Sequence, residues 1–189
     1  MEAALNRMMT LGGGMLAAGV FANSFIFVVD GGERALKMDA TRGLLPVVYG
    51  EGMHFRIPGL QRIENFEIRS RPTLVPSSTG TKDLQNVDIA LRILYRPDPA
   101  KLPEIYNNIG KDYDKRILPS ISNEVLKSIV AQYNAEQLIS MREKVSSEIR
   151  DVLARRALEF NLILDDVSIT DLQFSHDFAQ SIEAKQVAQ

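Results

Sequence analysis

The sequence predicts an α+β fold, and three observations carry that expectation. Residues 30–97 consist of short apolar runs punctuated by Gly31-Gly32, Gly43, Gly50, Gly52, Pro58-Gly59, Pro72, Pro76 and Gly80, the punctuation of a β-rich region. Within it, Val87, Ile89, Leu91, Ile93 and Tyr95 alternate with Asp88 and Arg92, which places one buried face on a strand of period two. After Pro99 the apolar period lengthens to that of helices.

The first 29 residues stand apart. Only Glu2 and Arg7 among them are charged, while 19 of the 29 are hydrophobic. Met8 to Val29 is an uncharged run of 22 residues. As a helix it would rise roughly 33 Å, enough for a hydrocarbon core of about 30 Å. An uncleaved membrane anchor over residues 1–29 is the preferred reading, with the crossing helix ending near Asn23 because Phe25 to Val29 is rich in β-favouring residues. Two alternatives stay open: a secretory signal cleaved after Val20-Phe21-Ala22, and a buried core helix. Gly14, Ala18 and Ala22 recur every four residues, a stripe that would let another membrane helix approach closely, although small residues are also simply common in such helices. Arg7 on one side, and Asp30 with Glu33 on the other, keep the short N-terminus on the inner face.

Beyond the β-rich part, taken as residues 30–97, an α/β part is expected over 98–174. Leu102, Ile105, Tyr106 and Ile109 predict a short helix stopped by Gly110. Ile117, Ile121, Val125, Ile129 and Tyr133 predict a second helix, with Pro119 near its start. Asn134 with Gln137 reads as a capping box opening one long helix to about Phe160, with an apolar stripe of Leu138, Val145, Ile149, Val152 and Leu153. Five basic and five acidic residues from Glu136 to Glu159 cover its other faces, and Asp151 is spaced for an ion pair with Arg155. Leu162 to Phe174 returns to strand character. Ser175 caps a last helix over 175–189 that carries no stop signal, so it is expected to continue as a longer helix.

Composition excludes several chemistries. The chain has no cysteine, hence no disulfide, thiolate zinc site or thiol nucleophile. A net charge of −2 argues against nucleic acid as a partner. His54 and His176 lack neighbouring carboxylates at ligand spacing and read as surface or packing residues. Asp165-Asp166 reads as a turn or strand-entry feature, because neighbours on a strand point to opposite faces. Gly50-Glu51-Gly52 lacks the third glycine of a dinucleotide fingerprint, and no nucleophile elbow is present. Arg56, Arg62, Arg69 and Arg71 form a modest basic run that reads as part of a mixed-charge surface or as a contact for lipid headgroups. A non-enzymatic scaffold without cofactor or metal is the leading expectation; a membrane-tethered hydrolase and a secreted or periplasmic domain are the alternatives.

The stretches VDGGERALKMD, GEGMHFRIP, RSRP, TGTKDLQNVDIALRIL, LPSISNEVLKSIVAQYNAEQLI, LILDDVSIT and EAKQVAQ, collinear from about Val29 to Gln189, closely resemble the prohibitin family of the stomatin, prohibitin and flotillin superfamily. VDGGERA and RSRP look like the shorter, first paralogue, and HFRIP and NEVLKS like the second; the first is expected. The resemblance implies an anchored mitochondrial inner-membrane protein with its main domain in the intermembrane space. It implies a two-part α+β domain followed by a coiled coil, beginning here at Phe178, Ile182 and Lys185. It implies a ring or cage built with the paralogous subunit, holdase-like action, association with a membrane AAA protease, and an influence on cristae and on lipids such as cardiolipin. Arg142, Lys144, Glu148, Asp151 and Arg155 are the expected lateral-assembly residues, since mixed charges suit head-to-tail contacts.

Overall fold

In the computed structural model, residues 24–174 are described. They form two compact units that divide between Ile68 and Arg69. The expected anchor stripe (Gly14, Ala18, Ala22), His176 and the coiled-coil start (Phe178, Ile182, Lys185) lie outside the described residues.

The first unit is all β. β1 (Ile26–Val29) pairs antiparallel with β4 (Gly52–Phe55). β2 (Glu33–Asp39) is the centre of a second sheet in the order β3-β2-β5, with β3 at Gly43–Tyr49 and β5 at Gln61–Glu67. Val29, Ala35, Leu36 and Phe66 form its small core. The β2–β3 register shifts between Leu36 and Met38, opposite the stretch containing Pro46, which has no amide to give to a ladder. Ile26–Val29 is therefore strand, which corrects the extent of the anchor expected over 1–29; the β-favouring residues from Phe25 onward are the signal.

The second unit is a three-stranded antiparallel sheet, β6-β7-β8, with helices on one face. β6 spans Arg71–Gly80, β7 Asn86–Pro97 and β8 Leu162–Phe174. Val87, Ile89, Leu91, Ile93 and Tyr95 are all buried on the β7 face that the alternation predicts. Against the sheet lie α2 (Tyr113–Val130) and α4 (Arg142–Leu158), which contribute Ile117, Leu118, Ile121, Val125 and Ile129, and Val145, Ile149, Leu153 and Ala157. A short α1 (Leu102–Asn108) precedes them, ended by Gly110 at φ +98°, a conformation that glycine adopts without steric cost.

Three details differ from the sequence reading. The division falls before β6 rather than at Pro97, because β6 and β7 hydrogen-bond into the sheet that β8 completes. The helix expected from Asn134 to Phe160 is two helices, α3 (Ala135–Ser140) and α4, broken where Met141 leaves helical geometry at φ −112°, ψ 28°. α2 starts at Tyr113, so Pro119 sits in its second turn and leaves the Lys115 carbonyl without its usual amide donor.

Candidate membrane-facing surface and assembly helix

The β1–β4 ribbon has two unlike faces. Phe27 and His54 are register partners on the inner one, where both rings pack against Tyr49 with centroids 6.0 and 5.3 Å from it. His54 Nε2 lies 2.7 Å from the Gly50 carbonyl oxygen. Lys37 is only 8% exposed; its ammonium donates to the Phe55 carbonyl at 2.8 Å and lies 4.5 Å from the Tyr49 ring centroid and 5.7 Å from that of Phe27. Aromatic faces and one carbonyl thus take the place of water around a charge that burial would otherwise penalise. The same contact ties β2 to the end of β4 and fixes how the ribbon presents its other face.

On that other face the pairs Ile26–Phe55 and Val28–Met53 stand side by side. Val28 is 59%, Met53 70% and Phe55 75% exposed, and Phe25, Ile57 and Leu60 extend the apolar run along the adjoining chain. Each such side chain forgoes about 1.5–3 kcal/mol of burial free energy in water, and a contiguous exposed apolar patch marks an interaction surface. Sequence reading missed this face. Its signal is the alternation of Met53 and Phe55 around His54, masked there by the brevity of the strand.

The expected assembly residues lie along α4. Arg142 donates to the Ile169 carbonyl of β8 at 2.8 Å, and Glu148 accepts the Tyr133 hydroxyl at 2.6 Å, which raises the phenol's pKa. Both serve packing within the unit. Lys144, Asp151 and Arg155 are exposed, and Asp151 and Arg155 do not close into the i,i+4 pair their spacing allows. The formed pairs are Arg150–Asp166 at 3.9 Å and Arg156 with Glu124 and Glu159, each at 2.7 Å. Asp165 and Asp166 are strand residues, not a turn. Asp165 occupies a bulge of β8, where it accepts from Ser70 and, at 3.3 Å, from Arg96.

The basic run is divided between the units. Arg56 donates through Nε to the Ser24 carbonyl at 3.1 Å, and Arg62 is exposed on β5. Arg71, on β6, lies 3.2 Å from the Asp114 carboxylate and over the Tyr95 ring. Asp114 also accepts the Tyr95 hydroxyl at 2.8 Å, and burial together with that carboxylate drives the Tyr95 pKa upward. Among the described residues no group of three or more His, Asp and Glu side chains is arranged to hold a metal ion. Of the groups a hydrolase would draw on, His54 belongs to the first unit and Asp166 to the second, each already engaged as above.

With the two units described, the comparisons with known proteins give the chain its family. The SPFH domain / Band 7 family profile matches residues 27–189, and the chain belongs to that family. Its relatives there are prohibitins. The chain is 53% identical to Prohibitin 1 of Mus musculus over 175 residues, 93% of this chain and 64% of that protein. It is 54% identical to Prohibitin-2 of Colletotrichum higginsianum over 172 residues, covering 91% and 55%. It is 51% identical to the mitochondrial prohibitin complex protein 1 of Caenorhabditis elegans over 185 residues, covering 98% and 67%. The chain thus spans just under two-thirds of the mouse relative's length, and these identities do not separate the two paralogues.

Proposed function

We propose that this chain is part of a non-enzymatic membrane scaffold of holdase type in the mitochondrial inner membrane. Its folded units face the intermembrane space. It assembles with its paralogue into a ring or cage that organises membrane proteins and lipids, and it modulates turnover by a membrane AAA protease. Residues 1–29 up to about Asn23, with the Gly14/Ala18/Ala22 stripe, form the bilayer segment. Lys144, Asp151 and Arg155 on the free face of α4 are the lateral contacts, and Phe178, Ile182 and Lys185 open the coiled coil. The mitochondrial setting and the paralogue partner are supported by the names of the relatives, a "mitochondrial prohibitin complex protein" among them.

The observation that carries the reading is the Val28/Met53/Phe55 face, apolar and exposed, contiguous in sequence with the uncharged run ending at Val29. No helix among the described residues is long and apolar enough to cross a membrane; the surface we assign to lipid contact is the exposed apolar ribbon. The chain contains no tryptophan, so Phe55→Trp introduces a single tryptophan that can be excited apart from the tyrosines. In vesicles of phosphatidylcholine and cardiolipin its emission is expected to shift to the blue and to be quenched by brominated acyl chains. Emission unchanged from the detergent-free, lipid-free protein overturns lipid contact at this face. Native electrophoresis of detergent-solubilised material co-expressed with the paralogue tests assembly; a small monodisperse species overturns the ring.

A further inference from the structure

Met53 is the only exposed methionine among the described residues; Met38 and Met141 are half-buried. On the apolar side of the β1–β4 ribbon it faces Val28 across the ladder, with Phe55 two positions along its own strand and Ile26 on the diagonal. For burial alone leucine would serve this place as well, because Leu and Met exchange at little cost. A thioether differs in one respect. Its sulfur is open to peroxides, which convert a flexible apolar side chain into a polar sulfoxide. The sulfoxide oxygen is a hydrogen-bond acceptor, and Val28, Ile26 and Phe55 carry no side-chain donor for it. In water that oxygen is satisfied; in hydrocarbon it would be an unpaired polar group.

The ribbon itself would survive the change. What holds it lies on the inner side: His54 Nε2 on the Gly50 carbonyl at 2.7 Å, the Lys37 ammonium on the Phe55 carbonyl at 2.8 Å, and the Phe27 and Tyr49 rings against His54. None of these contacts uses the Met53 side chain. We propose that Met53 is an oxidation site that controls the engagement of this face with lipid: the thioether seats among acyl chains, and the sulfoxide is released to water. The inference rests on the lipid-contact reading above and adds its regulation. The oxidant is hydrogen peroxide. A sulfur lone pair attacks one peroxide oxygen, the S–O bond forms as the O–O bond breaks, and the departing hydroxide takes the proton of the attacked oxygen and leaves as water. Sulfur gives up two electrons, and they reduce the peroxide. Peroxide arrives from the aqueous side, so a Met53 seated in lipid is shielded and a released one is not.

Trypsin reads the face directly, because Arg56 follows Phe55, and the tryptic peptide of residues 43–56 holds Met53 as its sole methionine, so its mass reports the oxidation. The complete protein is treated with peroxide, freed of it, and added to vesicles of phosphatidylcholine and cardiolipin beside untreated protein. Vesicles are expected to slow cleavage after Arg56 in the untreated protein, and oxidation to restore it by about tenfold, in keeping with one apolar side chain lost from the buried face. Without vesicles the two forms should be cleaved alike. Met53→Leu should stay protected after peroxide, and untreated Met53→Gln should be cleaved like the oxidised wild type. Equal protection of oxidised and untreated wild type, or lost protection in oxidised M53L, overturns the inference and leaves lipid contact standing. So does cleavage that rises equally without vesicles, since that would be unfolding of the ribbon. If vesicles do not slow cleavage of the untreated wild type, lipid contact at this face falls, and the inference falls with it.

Discussion

Lys37 is the residue on which the presentation of the apolar ribbon depends. Replacing it with methionine keeps the aliphatic packing but leaves the Phe55 carbonyl without its buried donor and removes the contacts to Tyr49 and Phe27. A destabilisation of about 1–3 kcal/mol is expected for K37M in urea unfolding, together with broadened amide resonances in β4; unchanged stability would show the ammonium to be incidental. Nothing in the sequence marks this lysine as buried, since it sits in a strand whose neighbours Glu33, Arg34 and Asp39 are partly exposed and equally polar. Asp39, two residues on, is held at about 2, below its ordinary 3.8, first by the Thr41 hydroxyl, then by the Thr41 amide and Gln61. A depressed carboxyl favours the folded state fully above pH 3.8, and that contribution fades as the pH falls through 2. Thr41→Ala is expected to move the Asp39 carboxyl resonance titration part of the way back toward 3.8; an unmoved midpoint would assign the shift to other groups.

At the scale of elements, local signals located what local physics controls. The Asn134–Gln137 capping box is formed, with Gln137 Oε1 accepting the Asn134 amide at 3.0 Å. Asn134→Ala should cost about 1 kcal/mol and release α3 before α4 in hydrogen exchange; equal loss of protection in both helices would show that they act as one. The alternation around β7 and the bounds of β8 were likewise legible, because one buried face forces period two on a strand. The break at Met141 was not legible. It separates two helices whose apolar stripe runs on from Leu138 to Val145, and the bond from Arg142 to the Ile169 carbonyl that accompanies it joins positions 27 residues apart. The unit boundary at Ile68 was hidden for a similar reason: β6 and β7 look like more of the preceding β region until β8, a strand after four helices, is seen to complete their sheet.

For the molecule as a whole, the distribution of charge decides how it should bind a membrane. The net charge is −2, and the basic run considered as a contact for anionic headgroups is split between two units, with Arg56 bonded to the Ser24 carbonyl and Arg71 to Asp114. Electrostatic attachment by a polybasic patch would contribute about 1 kcal/mol per cation and would collapse as salt shortens the Debye length to a few ångströms. Burial of Val28, Met53 and Phe55 has no such dependence, and excluded salts strengthen it. Vesicle flotation of the complete protein should therefore change less than about twofold between roughly 0.05 and 0.5 M salt, and should persist on neutral phosphatidylcholine. Phe55→Asp, on the face itself, should loosen protection of the ribbon by lipid, as read by protease cleavage near residue 55, while Arg62→Glu leaves it intact. A tenfold loss of flotation in high salt, or an equal effect of the two variants, would transfer the contact from the apolar face to the charged one.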